Sequence, residues 1–288
     1  MYICVCVMHL YTILVQMADL MKKIDPLGYQ LKFLESEIRS DGRKFDAYKS
    51  ASVETNVLDE SNHLGSASVR LGTTVVIVGI VGGIFVPPTV DDRSQKGKLN
   101  VTCDYSLIHP GDRRLTSLCG ASVSNKIELV LNNSDIFDRD QLNANAESFW
   151  DLSVNILVVC DDGGVVDCAL LAAVCALQAT YLPEVSIGPE PIVSNEIPAR
   201  QLVLKSIPVS FTLCMVREGV WLADPSRDEE NVFGRLSIFM TQNDTICGVF
   251  GIEGNSSSQT YSMSDLMGVV AGLHTERDKR IELVSKYI

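Results

Sequence analysis

The chain has 288 residues, of which 46% are hydrophobic and 21% are charged. This composition is typical of a folded protein with a full hydrophobic core, arranged as one large domain or two moderate ones, and it argues against disorder over most of the length. The net charge of −12 argues against a protein that coats nucleic acid by itself, because such affinity comes from neutralised phosphates.

Residues 1–16 form a nearly all-apolar segment that carries no charge. A secretory signal would need a basic region before its apolar stretch, and a membrane span needs about 20 apolar residues. Two interpretations stay open: an extension that comes from the gene model or is disordered, and a weak membrane anchor or import signal. In both cases we expect the folded part to begin at Met17.

A short amphipathic helix is predicted next. Asp25 and Pro26 provide an N-cap and a first-turn proline, and Leu27, Leu31 and Leu34 then fall on one face. We expect this helix to lead into the domain.

Strands and a second helix follow. Between residues 50 and 80 apolar residues alternate with polar ones and end in an apolar run, which is typical of paired strands. Residues 87–98 are polar and charged and predict a surface loop. Pro110 to Asp112 predicts the start of a helix, in which Cys119, Val123, Ile127 and Val130 repeat at helical spacing.

The first half closes with a strand and a buried helix, and the second half repeats the order of strands and then helix in a shorter form. Leu152 to Cys160 predicts the strand, Val165 to Ala179 the buried helix, and residues 183–200 a proline-rich connector. Four further strands are predicted at Ser210–Val216, Val220–Leu222, Leu236–Thr241 and Thr245–Gly251. A last helix begins at Ser262 and Asp265, with a buried stripe of Leu266, Val269, Val270, Leu273, Ile281 and Val284. The pattern predicts an α+β fold of two similar strand-then-helix halves, over residues 17–200 and 201–288.

Several polar groups have structural interpretations that we prefer. Asp41 to Arg43 predicts a turn pinned by its arginine, and Asp224-Pro225 predicts a turn after a strand. We expect Asp228 to Glu230 to form a solvated loop and Glu276 to Arg280 the solvated face of the last helix. His109 has no sequence partner that would make it a catalytic base. The nine cysteines include no CxxC pair and accompany only four histidines, so we predict reduced thiols in an intracellular protein and no metal site.

The turn at Gly163 and Gly164 is the most informative motif. It follows a strand and precedes a helix, and a helix N-terminus with free backbone N–H groups can bind phosphate. A phosphorolytic site would add an arginine fork at this turn. Here Val165, Val166 and Asp167 stand instead, so we predict a degenerate phosphate site in which the carboxylate of Asp167 repels an anion.

These motifs resemble a known family. Ile38 to Arg43 resembles the R-x-D-G-R opening motif of the RNase PH fold, and Gly65 to Ala67 with Leu71 to Thr74 is similar to its following strand pair. The order persists through Asp162 to Gly164 and Leu222 to Pro225. The resemblance implies the RNase PH fold, which is the ribosomal protein S5 domain 2-like fold. Asp25 to Tyr29 and Phe33-Leu34 resemble the non-catalytic exosome ring subunits of the exosome component 8 type.

The resemblance implies that the catalytic groups are lost. At three successive positions, active members carry a glycine, then a threonine or serine, and then an arginine that binds the attacking phosphate. This chain has Gly164, Val165 and Val166 at those positions. Their general acid lies in a G-x-A-D segment, to which Gly234 to Ser237 corresponds, and Ser237 cannot supply a proton from a carboxyl group. We therefore expect a protein that is not an enzyme.

One basic loop resembles the segment that active subunits direct at RNA phosphates. Arg113 and Arg114 follow Pro110-Gly111, and Arg93, Lys96 and Lys98 in the preceding loop could extend the same face. The alternatives are a helix-start loop whose arginines bridge subunits and ordinary solvated surface charges.

The resemblance also implies partners. They are the other RNase PH-fold exosome ring subunits, an S1-domain cap protein, a hydrolytic exonuclease subunit, and single-stranded RNA threaded through the assembled channel, with no membrane, metal or organic cofactor. The expected location is the nucleus, nucleolus and cytoplasm. The competing functions are a phosphate-dependent 3′–5′ exoribonuclease with a displaced active site and a free-standing RNA-binding protein.

Overall fold

The computed structural model of the chain describes residues 17–18, 20–59, 61–86, 97–144, 148–186, 192–194, 200–217, 219–253 and 263–286. The main strands are β1 (Ala51–Thr55), β2 (Gly65–Leu71), β3 (Thr74–Phe85), β4 (Leu99–Asp104), β5 (Phe149–Cys160), β10 (Val209–Arg217), β11 (Val220–Ala223), β12 (Arg235–Met240) and β13 (Ile246–Glu253). Short strands lie at β6 (Tyr181–Leu182), β7 (Glu184–Ser186), β8 (Ile192–Ser194) and β9 (Arg200–Gln201). The helices are α1 (Pro26–Glu35), α2 (Arg113–Asn133), α3 (Val165–Gln178), α4 (Arg227–Phe233), α5 (Met263–Gly272) and α6 (His274–Ser285), with a 3-10 turn at Arg139–Leu142.

The first sheet has the strand order β1-β2-β3-β5-β4, antiparallel except for the parallel pair β4 and β5. Val76, Val78 and Ile80 of β3 point into the core and are fully buried. In β2, Ala67, Val69 and Leu71 are buried, as the alternating pattern predicted.

The second sheet has the order β11-β10-β12-β13 and is antiparallel throughout. Its strands match the four predicted for the second half of the chain to within two residues at either end. The predicted connector over residues 183–200 contains the antiparallel pair β7 and β8, which its prolines did not suggest.

Helix α3 joins the two halves. All of its residues are buried, and it contacts β2 and β3 of the first sheet and β10 of the second. An apolar surface all round the helix is needed because both sheets cover it.

In α1, the N-cap that the sequence predicted is present, but the three leucines of one face are not all buried. Asp25 accepts a hydrogen bond from the Gly28 N–H at 2.9 Å, as expected for an N-cap. Of the three leucines on one face of α1, Leu34 is buried, whereas Leu27 and Leu31 are 49% and 37% exposed. The reason is that α1 meets the protein along the side that carries Gln30 and Leu34 and packs there against α4.

The C-terminal region differs from the single helix that was predicted. It forms α5 and α6, which are separated at Leu273, whose side chain is buried in the core of the second sheet. Ser262 of the predicted cap lies outside the described residues. Over the described residues, no helix combines the length and apolarity that crossing a bilayer requires.

Candidate functional site

The glycine turn connects the end of β5 to the start of α3. Gly163 and Gly164 have φ angles of 82° and 66°, in the left-handed region that favours glycine. A Cβ atom on Gly163 would lie 2.4 Å from the Pro225 carbonyl oxygen, because the loop before α4 packs directly on the turn. Both the backbone angle and the close approach therefore require glycine at this position.

The backbone N–H groups of the turn are bound to carboxylates of this chain. The Gly163 N–H donates to Oδ1 of Asp161 at 3.0 Å, and the Gly164 N–H donates to Oε1 of Glu230 at 2.7 Å. Asp161 follows β5 directly, whereas Glu230 comes from α4. The helix between β11 and β12 thus delivers a carboxylate to the turn.

Each of these carboxylates is also paired with an arginine. Nη1 of Arg227 lies 2.9 Å from Oδ2 of Asp161, and Nη1 of Arg235 lies 3.2 Å from Oε2 of Glu230. Burial raises the pKa of Glu230, and the Arg235 guanidinium and the Gly164 N–H oppose that rise. The expectation of a solvated loop is wrong for Glu230, because Ser226 caps α4 and the helix turns this side chain inward.

Asp167 does not face the turn. It is 1% exposed, and its carboxylate accepts hydrogen bonds from the Thr212 backbone N–H at 2.8 Å and the Thr212 hydroxyl at 3.1 Å. Burial raises the pKa of Asp167, with the nearby Arg280 opposing. The hypothesis that its charge repels an anion at the turn is therefore wrong: the third residue of α3 points at β10, and the carboxylates bound at the turn belong to Asp161 and Glu230.

Val165 and Val166 are buried in the core of the first sheet at 4% and 2% exposure. The side chains at the helix start therefore pack inward and offer no polar group to a ligand. Ser237 on β12 is 1% exposed, with its hydroxyl 3.5 Å from that of Thr212. The predicted general-acid position and Asp167 thus meet through Thr212 inside the protein.

Arg280 is a buried cation that the sequence pattern assigned to a solvated face. Its guanidinium lies 4.7 Å from the centroid of Phe211 and 5.6 Å from that of Tyr48, and it donates to the Ser210 carbonyl oxygen at 2.5 Å. Arg277 is buried as well, so the expectation for Glu276 to Arg280 is wrong for both arginines. Arg277 and Arg280 lie at helical spacing with the buried Val284 on one side of α6. That spacing is the sequence signal that could have predicted their burial.

The opening motif, Ile38 to Arg43, contacts the helix and loop that pack on the glycine turn. Arg39 binds Glu229 with two hydrogen bonds, Nε to Oε1 at 3.0 Å and Nη2 to Oε2 at 2.5 Å, and neither side chain is exposed. Arg43 donates to Asp41 and to the Asp224 carbonyl oxygen at 3.0 Å, which confirms the structural interpretation of the Asp41 to Arg43 turn. The solvated interpretation is wrong for Glu229, because α4 lies against this arginine.

Lys49 is a further cation of the site, which the sequence pattern did not predict. Its ammonium group donates to the carbonyl oxygens of Asp162 at 2.6 Å and Pro225 at 3.2 Å, and lies 3.9 Å from Oδ1 of Asp224. It fastens the turn to the loop before α4, and its side chain is 6% exposed.

The basic RNA candidates lie at other places on the surface. Arg113 and Arg114 are exposed at the first turn of α2, which Asp112 caps. Lys98 is exposed, with its ammonium group 5.8 Å from the Phe85 ring centroid. Arg93 and Lys96 lie outside the described residues. RNA contact at these positions stays a prediction.

Metal ligation has no support in the described part of the chain, where no group of three or more histidine, cysteine, aspartate or glutamate side chains could hold a metal ion. The cysteines in that part are free thiols at Cys103, Cys119, Cys160, Cys168, Cys175, Cys214 and Cys247.

Comparison with known proteins identifies the class. A profile of the 3′ exoribonuclease family, RNase PH domain 1, matches residues 47–183. Exosome complex component Rrp42 of Methanosarcina acetivorans is 28% identical over 237 residues, which cover 79% of this chain and 84% of that protein. The Rrp42 protein of Archaeoglobus fulgidus is 31% identical over 226 residues, covering 75% of this chain and 80% of the relative.

The fold is similar to that of a solved structure. A chain of an archaeal exosome core superposes with a TM-score of 0.72 at 24% identity, covering 94% of this chain and 98% of that one. The two sheets and the buried helix that joins them are therefore the RNase PH fold, as the sequence motifs predicted. The chain belongs to the RNase PH family of 3′ exoribonuclease proteins.

Proposed function

We propose that the chain is a non-catalytic structural subunit of an exosome-type ring that supports 3′–5′ RNA processing and degradation. Membership of the RNase PH family supports this proposal, as do relatives named exosome complex components that align over most of this chain. In the ring, the subunit would pair with other RNase PH-fold subunits and line or brace the RNA channel.

One observation carries the non-catalytic part of the proposal. The N–H group of Gly164, where a phosphate ligand would bind, is bound to Glu230, and no arginine stands at Val165 or Val166. Phosphoryl transfer depends on positioning and charge stabilisation, so losing the anion site and the acid removes most of the rate enhancement.

Exposed apolar groups support assembly with a neighbour. Strand β13 lies at the edge of the second sheet, and its Ile246 and Val249 are 43% and 44% exposed. On α2, Leu115 and Leu118 are 44% and 58% exposed. Edge strands and apolar patches of this kind favour association with another chain.

The finer assignment is also proposed. The residues around α1 support a subunit of the exosome component 8 type, whereas the relatives described above carry the name Rrp42. With that assignment, we propose an S1-domain cap protein, a hydrolytic exonuclease subunit and single-stranded RNA as further partners. We propose the nucleus, nucleolus and cytoplasm as its locations.

The test of catalysis is incubation of the purified chain with tailed RNA and inorganic phosphate. We expect no nucleoside diphosphates. Sustained release that is abolished by a substitution in this chain would establish the alternative, a phosphate-dependent exoribonuclease with a displaced site, because a contaminating enzyme would not respond to the substitution.

The test of assembly is co-expression with other RNase PH-fold subunits of the same organism. We expect the chain to self-associate alone and to become monodisperse with its ring neighbour, as measured by light scattering. A Val249→Lys variant places a charge on the exposed edge and is expected to associate less. A well-behaved monomer that binds none of those subunits would contradict the ring assignment.

A further inference from the structure

A cavity that is not part of the glycine-turn site lies on the second sheet, beside β11 and the junction of α5 and α6. Its volume is about 380 Å³, which is within the range of pockets that hold small molecules. Leu213, Ala223 and Leu273 are its most buried lining residues. Ala223 is the register partner of Leu213 on β10, and its single methyl group leaves space above this strand pair.

Three aromatic side chains line the cavity. Phe45 and Tyr48 belong to the segment before β1. The Phe45 carbonyl oxygen accepts a hydrogen bond from the Ala223 N–H at 2.8 Å, which holds that segment beside β11. Trp221 lies two positions before Ala223 on β11, so their side chains are on the same face of the strand. Aromatic rings in the wall of a cavity attract a cation to their faces, and tryptophan does so most strongly.

One of these rings already lies beside a cation. The Tyr48 ring centroid is 5.6 Å from the Arg280 guanidinium. Arg280 in turn lies 3.6 Å from the Asp167 carboxylate, so its charge is compensated on the core side of the ring. Burial raises the pKa of Tyr48, and the negative charge of Glu276 adds to that rise. The field of the Glu276 carboxylate therefore reaches the ring that lines the cavity.

The charges around the cavity are negative on balance. Among the described residues that line it, the charged ones are Asp46, Glu276 and Lys279, so two carboxylates stand against one ammonium group. Nζ of Lys279 lies 3.0 Å from Oε2 of Glu276, and the lysine side chain is 65% exposed whereas the glutamate is 16% exposed. The lysine therefore approaches from the solvent side, and the lining favours a cation over an anion.

We propose that this cavity, which we call the aromatic cavity, binds an organic cation of the methylated ammonium class. A trimethylammonium group combines a positive charge with an apolar surface, so it matches both the aromatic rings and the carboxylates. Two sources present this group: a free quaternary amine and a methylated lysine side chain of a protein. The inference goes beyond the proposed function and does not depend on it, because it uses side chains of this chain alone.

The experiment is a fluorescence titration of the full chain, which has two tryptophans. Trp221 lines the aromatic cavity, whereas Trp150 is buried in the core of the first sheet. The probes are choline and its uncharged isostere, in which a carbon atom replaces the ammonium nitrogen, with ionic strength held constant by sodium chloride. We expect a saturable response to choline and binding of the isostere that is at least about tenfold weaker.

A short peptide that carries a trimethylated lysine separates the two sources. Its unmethylated form is the control and should bind more weakly. If the methylated peptide binds more tightly than choline, the ligand is assigned to a protein side chain. If it binds equally or more weakly, the ligand is assigned to a free amine.

Substitutions test the lining residues. Glu276→Gln and Asp46→Asn each remove a charge and keep the shape, so both should weaken choline binding about threefold or more and leave the isostere unchanged. Trp221→Leu should abolish choline binding, measured by saturation-transfer NMR on the methyl protons because this variant lacks the fluorophore. Glu282→Gln is the matched control, because Glu282 is a carboxylate on the same helix that is 71% exposed and pairs with Lys286. It should bind choline as the wild type does.

Three results would overturn the inference, in proteins shown to be folded by circular dichroism. The first is equal affinity for choline and the uncharged isostere. The second is choline affinity in both Glu276→Gln and Asp46→Asn that equals that of Glu282→Gln. The third is the absence of a saturable response to choline and to the methylated peptide. Each result leaves ring assembly untouched, and failure to join a ring would leave the titration valid.

Discussion

Nη1 of Arg280 lies 3.6 Å from Oδ2 of Asp167, so the last helix of the chain is tied to the first turn of the helix that follows the glycine turn. Both side chains are almost completely buried, at 3% and 0% exposure. This buried pair couples the C-terminal helix to the helix start at the candidate site.

Replacing Arg280 with alanine should therefore destabilise the protein strongly. Removing one member of a buried ion pair leaves the other charge uncompensated, which costs about 3–5 kcal/mol. The free energy of unfolding by urea measures the loss. Lys279→Ala is the control on the same helix, because Lys279 is 65% exposed, and we expect a change within about 0.5 kcal/mol. Equal effects of the two substitutions would contradict the importance of the pair.

The pH dependence of stability should report the burial of Asp167. Its pKa in the folded protein lies above the ordinary value of 3.8, so the native state keeps a proton that the unfolded state has released. The resulting contribution to stability is complete below 3.8 and is lost as pH rises through the folded pKa. In Asp167→Asn the decline over this range should be shallower.

Urea unfolding of the wild type and Asp167→Asn at a series of pH values from 3.8 upward checks this expectation. The readout is the slope with pH, because the substitution also changes the partner of Arg280 and hence the absolute stability. Glu230, whose pKa is also raised, contributes with the same sign in both proteins. Identical slopes would show that Asp167 titrates alike in the folded and unfolded states.

Gly163→Ala should be more damaging than Gly111→Ala, although the two glycines have φ angles of 82° and 85°. A left-handed conformation costs a non-glycine residue about 1–2 kcal/mol, and both variants incur that cost. Only at Gly163 would the new Cβ atom also lie 2.4 Å from a backbone oxygen, whereas nothing lies within 4 Å at Gly111. We expect an additional loss of about 1 kcal/mol or more for Gly163→Ala in thermal or urea unfolding. Similar losses would mean that the Pro225 loop moves away freely.

Replacing Arg113 and Arg114 with alanine should weaken RNA binding by the assembled ring. Each lost phosphate contact on a single strand reduces the salt slope of binding by about 0.7, and base preference should not change, because phosphate contacts do not read sequence. The measurement is RNA affinity at several salt concentrations for rings that assemble equally well. Unchanged slope and affinity would place both arginines at a subunit interface or on the solvated surface.

The sequence by itself determined the local elements of this protein and its fold family. Alternating apolar residues indicated β2, Asp25 and Asp112 marked helix starts, and the motif order indicated the RNase PH fold. These features depend on neighbours within a few positions of each other, where backbone geometry and hydrogen bonding relate residue type to structure directly.

Only the tertiary structure decided which charges form the site. Arg39 and Glu229 lie 190 positions apart, Gly164 and Glu230 lie 66 apart, and Asp167 turns away from the helix start that it belongs to. A run of acidic residues has the same pattern in a solvated loop as in a capped helix that packs on a sheet. The physical reason is that burial selects the partner of a charge: α4 and the last helix dock on the core, and each buried charge is then stable only beside the group that the fold brings to it.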